Sequence, residues 1–366
     1  MRSFALVVTA LLAVAYAYVA SRLATGPWSA VLLAGPFILI WILPAYYWGS
    51  DRSREGFIDR VVHRASYLSM AWVSFILVLT LARDALLLLT FAYPDEHRMI
   101  VTAGVPVVLG ASLVAMAIGA VAAFRGPRVE RIDLPVPGLH PDLDGYRIVQ
   151  ISDLHVGPNI RRHYVQRVVD LSRSLEPDLI ALTGDIVDGP LERLAPHVAP
   201  LAALARDGKA FFILGNHDCY AGADSWIAHF RDLGMRVLLN EHALVRKGAA
   251  RLLVGGVVDP AYARMRPEIS LQGAGAADYR LLLAHNPRLA RLGAAAGFDL
   301  QLSGHTHAGQ FFPWTFVIHL FHAPHVAGLS REGRMSVYVS AGTGTWGPPV
   351  RFGTNPELTL LRLVRA

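Results

Sequence analysis

Hydrophobic and polar positions are laid out in two different ways along this chain. Before residue 125 the apolar positions run together in four stretches, about Phe4–Ala20, Trp28–Trp48, Ala65–Phe91 and Met99–Phe124. A hydrocarbon layer roughly 30 Å thick needs about 20 helical residues to cross, and all four runs are near or above that length. The first run, with Arg2 at its start, has the outline of a secretory signal. No small-residue cleavage site stands near Ser21, so it reads as a retained helix. From Tyr146 onward, short β-type runs alternate with helical stretches. Strands are predicted at Tyr146–Ser152, Leu179–Thr183, Ala210–Leu214, Arg236–Leu239, Arg251–Val257, Tyr279–Ala284, Leu300–Ser303, Ser336–Ser340 and Leu358–Leu363. Helices are predicted near Arg162–Leu175, Leu191–Arg206, Ala223–Leu233 and Pro287–Ala295. Residues 125–145, rich in Pro, Gly and charge, read as a linker. The pattern therefore predicts a transmembrane region over 1–124 and, over 146–366, sheets covered by helices, α/β or α+β.

Composition sharpens this picture. The 366 residues are 53% hydrophobic and 17% charged, where soluble domains carry about 25% charge. A wholly soluble or disordered chain is thereby disfavoured. The single cysteine, Cys219, rules out a disulfide framework and any Cys-rich metal site. The net charge of +6 is dispersed with no basic run, so nucleic acid is not an expected partner. Arginines fall unevenly around the apolar runs. Arg2, Arg52, Arg54, Arg60, Arg64, Arg125, Arg128 and Arg131 lie on one side, against Arg22 and Arg98 on the other. Positive residues favour the inner face. The bias predicts a multi-pass protein of the cell inner (plasma) membrane with everything after Phe124 in the cytoplasm. Arg83 and Asp84, inside the third run, read as a mutually compensating pair.

The chemistry-bearing residues gather where predicted strands end. Five clusters follow β-type runs: Asp153-Leu-His155, Gly184-Asp185-Ile-Val-Asp188, Gly215-Asn216-His217-Asp218, His285-Asn-Pro, and Gly304-His305-Thr-His307. Open α/β sheets build sites at the C-terminal ends of their strands. Imidazoles suit Mn, Fe and Zn, while carboxylates and an amide oxygen suit harder ions, a mixture that favours first-row divalent ions over calcium. Each cluster alone is a weak signal; their number and placement together are not.

By this series of clusters, residues 146–366 resemble the calcineurin-like metallophosphoesterases. The motif Gly304-His-Thr-His-Ala-Gly-Gln310 and the tail Ser340-Ala-Gly-Thr-Gly-Thr-Trp-Gly-Pro-Pro-Val-Arg351-Phe, with Pro356-Glu357, resemble the bacterial membrane-associated branch. Ala308 stands where many relatives have Gly. The resemblance implies an α+β fold, a four-layer α/β/β/α sandwich behind the four-helix transmembrane region. It further implies that Asp153, His155 and His307 bind one divalent ion (Mn, Zn or Fe) and that Asn216, His285 and His305 bind a second. Asp185 would bridge the two. Two metals about 3.5–4 Å apart activate a shared water and clamp the attacking and leaving oxygens of an in-line displacement. On this reading a bridging hydroxide attacks phosphorus, and His217 protonates the departing oxygen or stabilises charge. Asp218 is expected to hold the His217 imidazole, and Asp188 to be a turn former or a supporting residue.

The expected partner is a phosphate-ester substrate, lipid-linked or nucleotide-linked, met at the membrane. Related folds include enzymes that cleave UDP-2,3-diacylglucosamine in lipid A synthesis, and a membrane sensor with an inactive domain is a third reading. Arg351, Arg161 and Arg162 are candidate phosphate contacts, with His163 beside them. The apolar stretch from Phe311 to His325 reads either as a lip touching the bilayer or as core beneath the site. His319, His322 and His325, three apart, could share a helix face. Cys219 reads as a passive small apolar residue.

Overall fold

The computed structural model describes residues 2–49 and 56–366; Arg52 and Arg54 of the expected inner loop lie outside them. The chain divides into two compact units. The first comprises the helices up to Ala122 together with Phe311–Pro313 and Gly347–Phe352, and the second comprises the remainder.

Four helices make up most of the first unit: α1 (Arg2–Leu23), α2 (Pro27–Gly49), α3 (Phe57–Leu89) and α4 (Pro94–Phe124). Among the described residues, α1, α3 and α4 carry runs long and apolar enough to cross a membrane, and the apolar run Pro27–Ile42 in α2 is shorter. Helix α4 starts five residues before its apolar run because Pro94, Asp95 and Glu96 suit a helix start. The ring fixes a helical φ and the acids face the positive end of the helix dipole. The Asp84 carboxylate accepts from Arg22 Nε at 2.9 Å, the Tyr18 hydroxyl at 3.0 Å and Arg83 at 3.3 Å. The compensating pair thus has two further members on α1. Arg83 lies against Gly104 of α4, where a Cβ would stand 2.9 Å from its Cδ. In the same unit Phe75 meets the rings of Phe311 and Phe352 at 5.8 and 5.5 Å. Val350 is buried with Ala71.

The second unit holds twelve strands: β1 (Arg128–Val136), β2 (Arg147–Ile151), β3 (Leu179–Leu182), β4 (Ala210–Phe212), β5 (Arg236–Val237), β6 (Glu241–Lys247), β7 (Ala250–Gly256), β8 (Tyr279–Leu283), β9 (Leu300–Ser303), β10 (Gly328–Glu332), β11 (Met335–Val339) and β12 (Glu357–Arg365). They form two six-stranded sheets, ordered β1-β12-β2-β3-β4-β5 and β10-β11-β9-β8-β7-β6. Side chains alternate across each strand, and here both faces are apolar. Ile148, Ala181 and Phe211 of the first sheet join Leu252, Val254, Leu281 and Leu283 of the second in one core between the sheets. Their chain neighbours Val149, Ile180 and Phe212 turn outward to Val165, Val168, Trp226 and Phe230 of the covering helices. Leu253, Leu282 and Val337 turn outward on the other side to Ala290 and Phe298. Helix, sheet, sheet, helix is the resulting layer order, the four-layer sandwich expected.

Residues 125–145 depart from the linker reading. Strand β1 pairs in parallel with β12 over all nine residues, Arg128 opposite Glu357 through Val136 opposite Arg365. It escaped sequence reading because it is an edge strand whose faces are largely exposed, and such a strand needs no apolar periodicity. The same holds for β6 and β10, the two edges of the other sheet, which were also not predicted. The predicted helix Leu191–Arg206 is broken into Leu191–Val198, a 3₁₀ turn Ala199–Leu201 and Ala202–Ala205. Pro200 lies at that turn and has no N–H to continue the ladder.

Strands β2, β3 and β4 run parallel, as do β7, β8, β9 and β11. Each group therefore delivers its following loops to one edge of its sheet. Gln150 of β2 donates to the Ser303 carbonyl of β9 at 2.8 Å and ties the two sheets together beside those loops.

Candidate metal centre

The loops after β2, β3, β4, β8 and β9 bring the predicted ligands together. Three groups of ligand-type atoms lie within 4.8 Å of one another: Asp153, His155 and His307; Asp185, His285 and His305; and His155, Asp185 and His217. Among the described residues, the first group holds the three residues expected at one ion and the second holds His285 and His305, expected at the other, together with Asp185. Asp185 Oδ2 also lies 3.9 Å from His155 Nε2 of the first group. Asn216 joins through its side-chain oxygen, 3.0 Å from His305 Nδ1. The residue types are legible in sequence; their convergence requires tight loops. Asp153, His155, Asp185, His305 and His307 all have φ between 51° and 72°. Non-glycine residues rarely adopt this left-handed region, and they cluster there at functional sites. Ala308 shares it at φ 51°, which is why glycine suits its position. Gly304 is required for a different reason: a Cβ there would collide with the Asp153 carboxylate.

Ring orientation is fixed from behind. His155 Nδ1 is 2.7 Å from Asp188 Oδ1, leaving Nε2 to face His307 Nε2 at 3.0 Å. His285 Nδ1 donates to the Thr183 carbonyl at 2.8 Å, and its Nε2 turns to Asp185 Oδ2 at 3.1 Å. A ring nitrogen bonded to a carbonyl or carboxylate leaves the other nitrogen's lone pair for a metal. Asp153 Oδ1 accepts the His305 N–H at 2.9 Å, while its Oδ2 is buried with no hydrogen-bond partner. Two lone pairs converging at 3.0 Å, beside a buried carboxylate oxygen without a donor, fit divalent cations.

The electrostatics agree. Burial opposes charge on His155, but Asp188, Asp185 and Asp153 outweigh it and raise its pKa to about 9. Burial likewise opposes charge on His285, and Asp185 and Asp153 lift it to about 10. Asp185 is held far below the usual carboxylate range by His285, although burial acts the other way. His305, half-buried and next to His285, is lowered to about 3, by desolvation first and by His285 second. Buried carboxylates here draw in positive charge, and metal binding would replace the protons.

His217 stands at the rim of this cluster, and its support differs from expectation. Its Nδ1 is 2.9 Å from Asp188 Oδ1, the oxygen that also holds His155. Asp188, not Asp218, orients the imidazole. The Asp218 carboxylate instead accepts four backbone N–H groups, from Asp185, Ile186, Val187 and Gly215, at 2.8–3.1 Å. With its oxygens turned onto the β3 and β4 loops, it clamps the ligand loops and is not free to reach its neighbour. Burial and Asp185 push it up to about 7 against those donors.

The tail motif is a brace. The Thr343 and Gly344 N–H groups donate to the Ser152 and Asp153 carbonyls at 2.7 and 3.0 Å. Gln310 and Trp346 exchange two hydrogen bonds at 2.9 and 2.8 Å. Trp346 is thereby set edge-on to His217, centroids 5.9 Å apart, with Tyr220 at 5.8 Å. Glu357 receives the Tyr338 hydroxyl at 2.6 Å and the Ala341 N–H at 3.1 Å, fixing the start of that loop.

The candidate phosphate contacts are dispersed. Arg162 donates to the Pro196 carbonyl at 3.0 Å, Arg161 caps the helix Arg162–Ser174 with Nε 3.5 Å from the Pro158 carbonyl, and His163 is exposed. Arg351 is buried within the helical unit, its N–H on the Gly119 carbonyl at 2.8 Å. The three histidines also part company. His325 is taken by Ser330 and Glu332, and His319 is exposed. His322 packs edge-on against His305 at 5.3 Å, a neighbour that spacing did not reveal. Cys219 is half-buried, consistent with a passive role.

This fold and this convergence of Asp, His and Asn side chains define a metallophosphoesterase domain. The family model for calcineurin-like phosphoesterases matches residues 146–309. An uncharacterized metallophosphoesterase of Aquifex aeolicus is 32% identical over 244 residues, covering 64% of this chain and 91% of that protein. A Danio rerio transmembrane protein with metallophosphoesterase domain is 34% identical over 262 residues, covering 68% of this chain and 60% of that protein. A Campylobacter jejuni uncharacterized metallophosphoesterase is 30% identical, covering 66% and 64%. The chain thus spans about 60% of the length of the zebrafish relative. The protein belongs to the calcineurin-like phosphoesterase family, in a membrane-associated form.

Proposed function

We propose that this protein is a membrane-anchored dinuclear phosphoesterase, hydrolysing a phosphodiester or pyrophosphate bond in a lipid-linked or nucleotide-linked substrate at the inner leaflet. The observation that carries the reading is Asp185 standing between His285 and His305 on one side and His155 on the other, with His217 alongside and held by Asp188. Asp153, His155 and His307 would hold one ion; Asn216, His285 and His305 the other; Asp185 would serve both. Divalent ions in those places lower the pKa of water and neutralise charge on phosphoryl oxygens. His217 donates its proton to the departing oxygen, and the Asp188 carboxylate stabilises the imidazolium that makes the donation possible. Asp218 holds the loops that carry Asp185 and Asn216. The arginine asymmetry supports a cytoplasmic catalytic domain, where nucleotide-linked lipids are available. Loss of a C-terminal tag from intact spheroplasts treated with protease would overturn that placement.

The test of the activity is a panel of mono- and diesters, with and without acyl chains, offered to the full chain reconstituted with Mn, Zn or Fe. Metal-dependent diester hydrolysis that His217→Ala lowers roughly 10²–10⁴-fold is the expected result. No turnover with any metal, by protein that binds two ions, would overturn the reading and favour a sensor.

A further inference from the structure

The mouth of the metal centre carries an apolar collar. The helix Trp314–His322 begins four residues after Gln310 and contains no acidic residue. None of its residues is buried: Leu320 is 82% exposed, Phe316 69%, Phe321 62% and Trp314 46%. Its last residue, His322, lies against His305 of the centre. On the His217 side, Tyr220 and Trp346 are 71% and 49% exposed, although each ring meets His217. Six large apolar or aromatic side chains on the elements beside the polar cluster are therefore left exposed. Soluble domains rarely leave large apolar patches uncovered.

We infer that this collar enters the leaflet of the bilayer that anchors the chain. Two observations select a lipid surface as the occupant. Only residues 125–127 separate the apolar helix α4 from β1, a tether of about 10 Å at full extension. Trp and Tyr are also the residues that prefer the membrane–water interface. Resting on the phosphoesterase reading above, the collar names the substrate class. It is an acyl-chain phosphoester whose headgroup reaches the metals while its chains stay in the leaflet.

The experiment uses the full chain in proteoliposomes of phosphatidylethanolamine and phosphatidylglycerol. In a Cys219→Ser background, an environment-sensitive fluorophore is placed at Leu320→Cys or Phe316→Cys, with Leu244→Cys on β6 as the reference. Quenching of positions 320 and 316 by doxyl-labelled lipid, and not by aqueous iodide, is expected; position 244 should behave oppositely. Iodide quenching at all three positions would overturn the inference. So would a signal that tracks protein density instead of lipid label, because it would mean that a second copy covers the collar. The triple variant Phe316→Ser, Leu320→Ser, Phe321→Ser should lower the ratio of vesicle-borne phosphodiester to bis(p-nitrophenyl) phosphate hydrolysis at least ~10-fold, from the lost apolar burial. An unchanged ratio would overturn the substrate class. Absence of all hydrolysis would reject the phosphoesterase reading, while the quenching data would still decide the collar.

Discussion

Asp188→Asn tests the arrangement most directly, because one oxygen serves two imidazoles. Oδ1 lies 2.7 Å from His155 Nδ1 and 2.9 Å from His217 Nδ1, and the side chain is 22% exposed. Asparagine keeps an acceptor oxygen of the same reach but removes the charge. A hydrogen bond to a charged group is worth roughly 1.5–3 kcal/mol net and a neutral one about 1, so two bonds lose together about 1–4 kcal/mol. Expressed fully in the transition state, that is a fall of roughly 5–900-fold in kcat, at about 1.36 kcal/mol per decade. Supporting residues around metal ligands typically cost about 10–100-fold when removed. The assay is steady-state hydrolysis of aryl phosphodiesters with leaving groups of graded basicity, with metal content measured on the same samples. The loss should grow as the leaving group becomes more basic, since those substrates depend most on proton donation. Asp188→Ala should lose more and also shed metal. Turnover within twofold of the parent, with an unchanged leaving-group dependence, would refute the role given to Asp188.

Asp185→Asn should lower metal content and turnover together, and more than any other ligand change, because it weakens both ligand sets. A variant with two ions and near-normal rate would reject the bridge. Cys219 is pushed up to about 12 by burial, with Asp259 and Asp218 adding to it. A raised pKa keeps the thiol protonated until high pH, so alkylation of metal-stripped protein at pH 8 should run roughly 10³-fold slower than for a free cysteine. Rapid labelling at neutral pH would contradict this. Asp84→Asn leaves Arg22 and Arg83 without their shared carboxylate, and should destabilise the detergent-solubilised chain by about 1–3 kcal/mol. No change in Tm would show that the cluster is not a structural clasp.

The parts of this protein that depend on local pattern are legible in its amino-acid sequence. Apolar runs of about 20 residues can only be satisfied as helices in lipid, so α1 to α4 were visible before any contact was known. The interior strands were visible too, because β3 and β8 bury both faces and read as apolar runs. The ligand residues were legible because few side chains bind metals and each follows a strand. The rest depends on contacts between residues far apart in the chain. Strands β1, β6 and β10 exist because a neighbouring strand offers them a hydrogen-bonding edge, a property of the partner and not of their own composition. The choice between Asp188 and Asp218 as the support for His217 was likewise invisible. Asp218 is adjacent in the chain, but four backbone N–H groups claim it. Asp188 is 29 residues away and is carried to His217 by the parallel pairing of β3 with β4. Sequence records which groups are available; hydrogen-bond geometry between distant loops decides which of them meet.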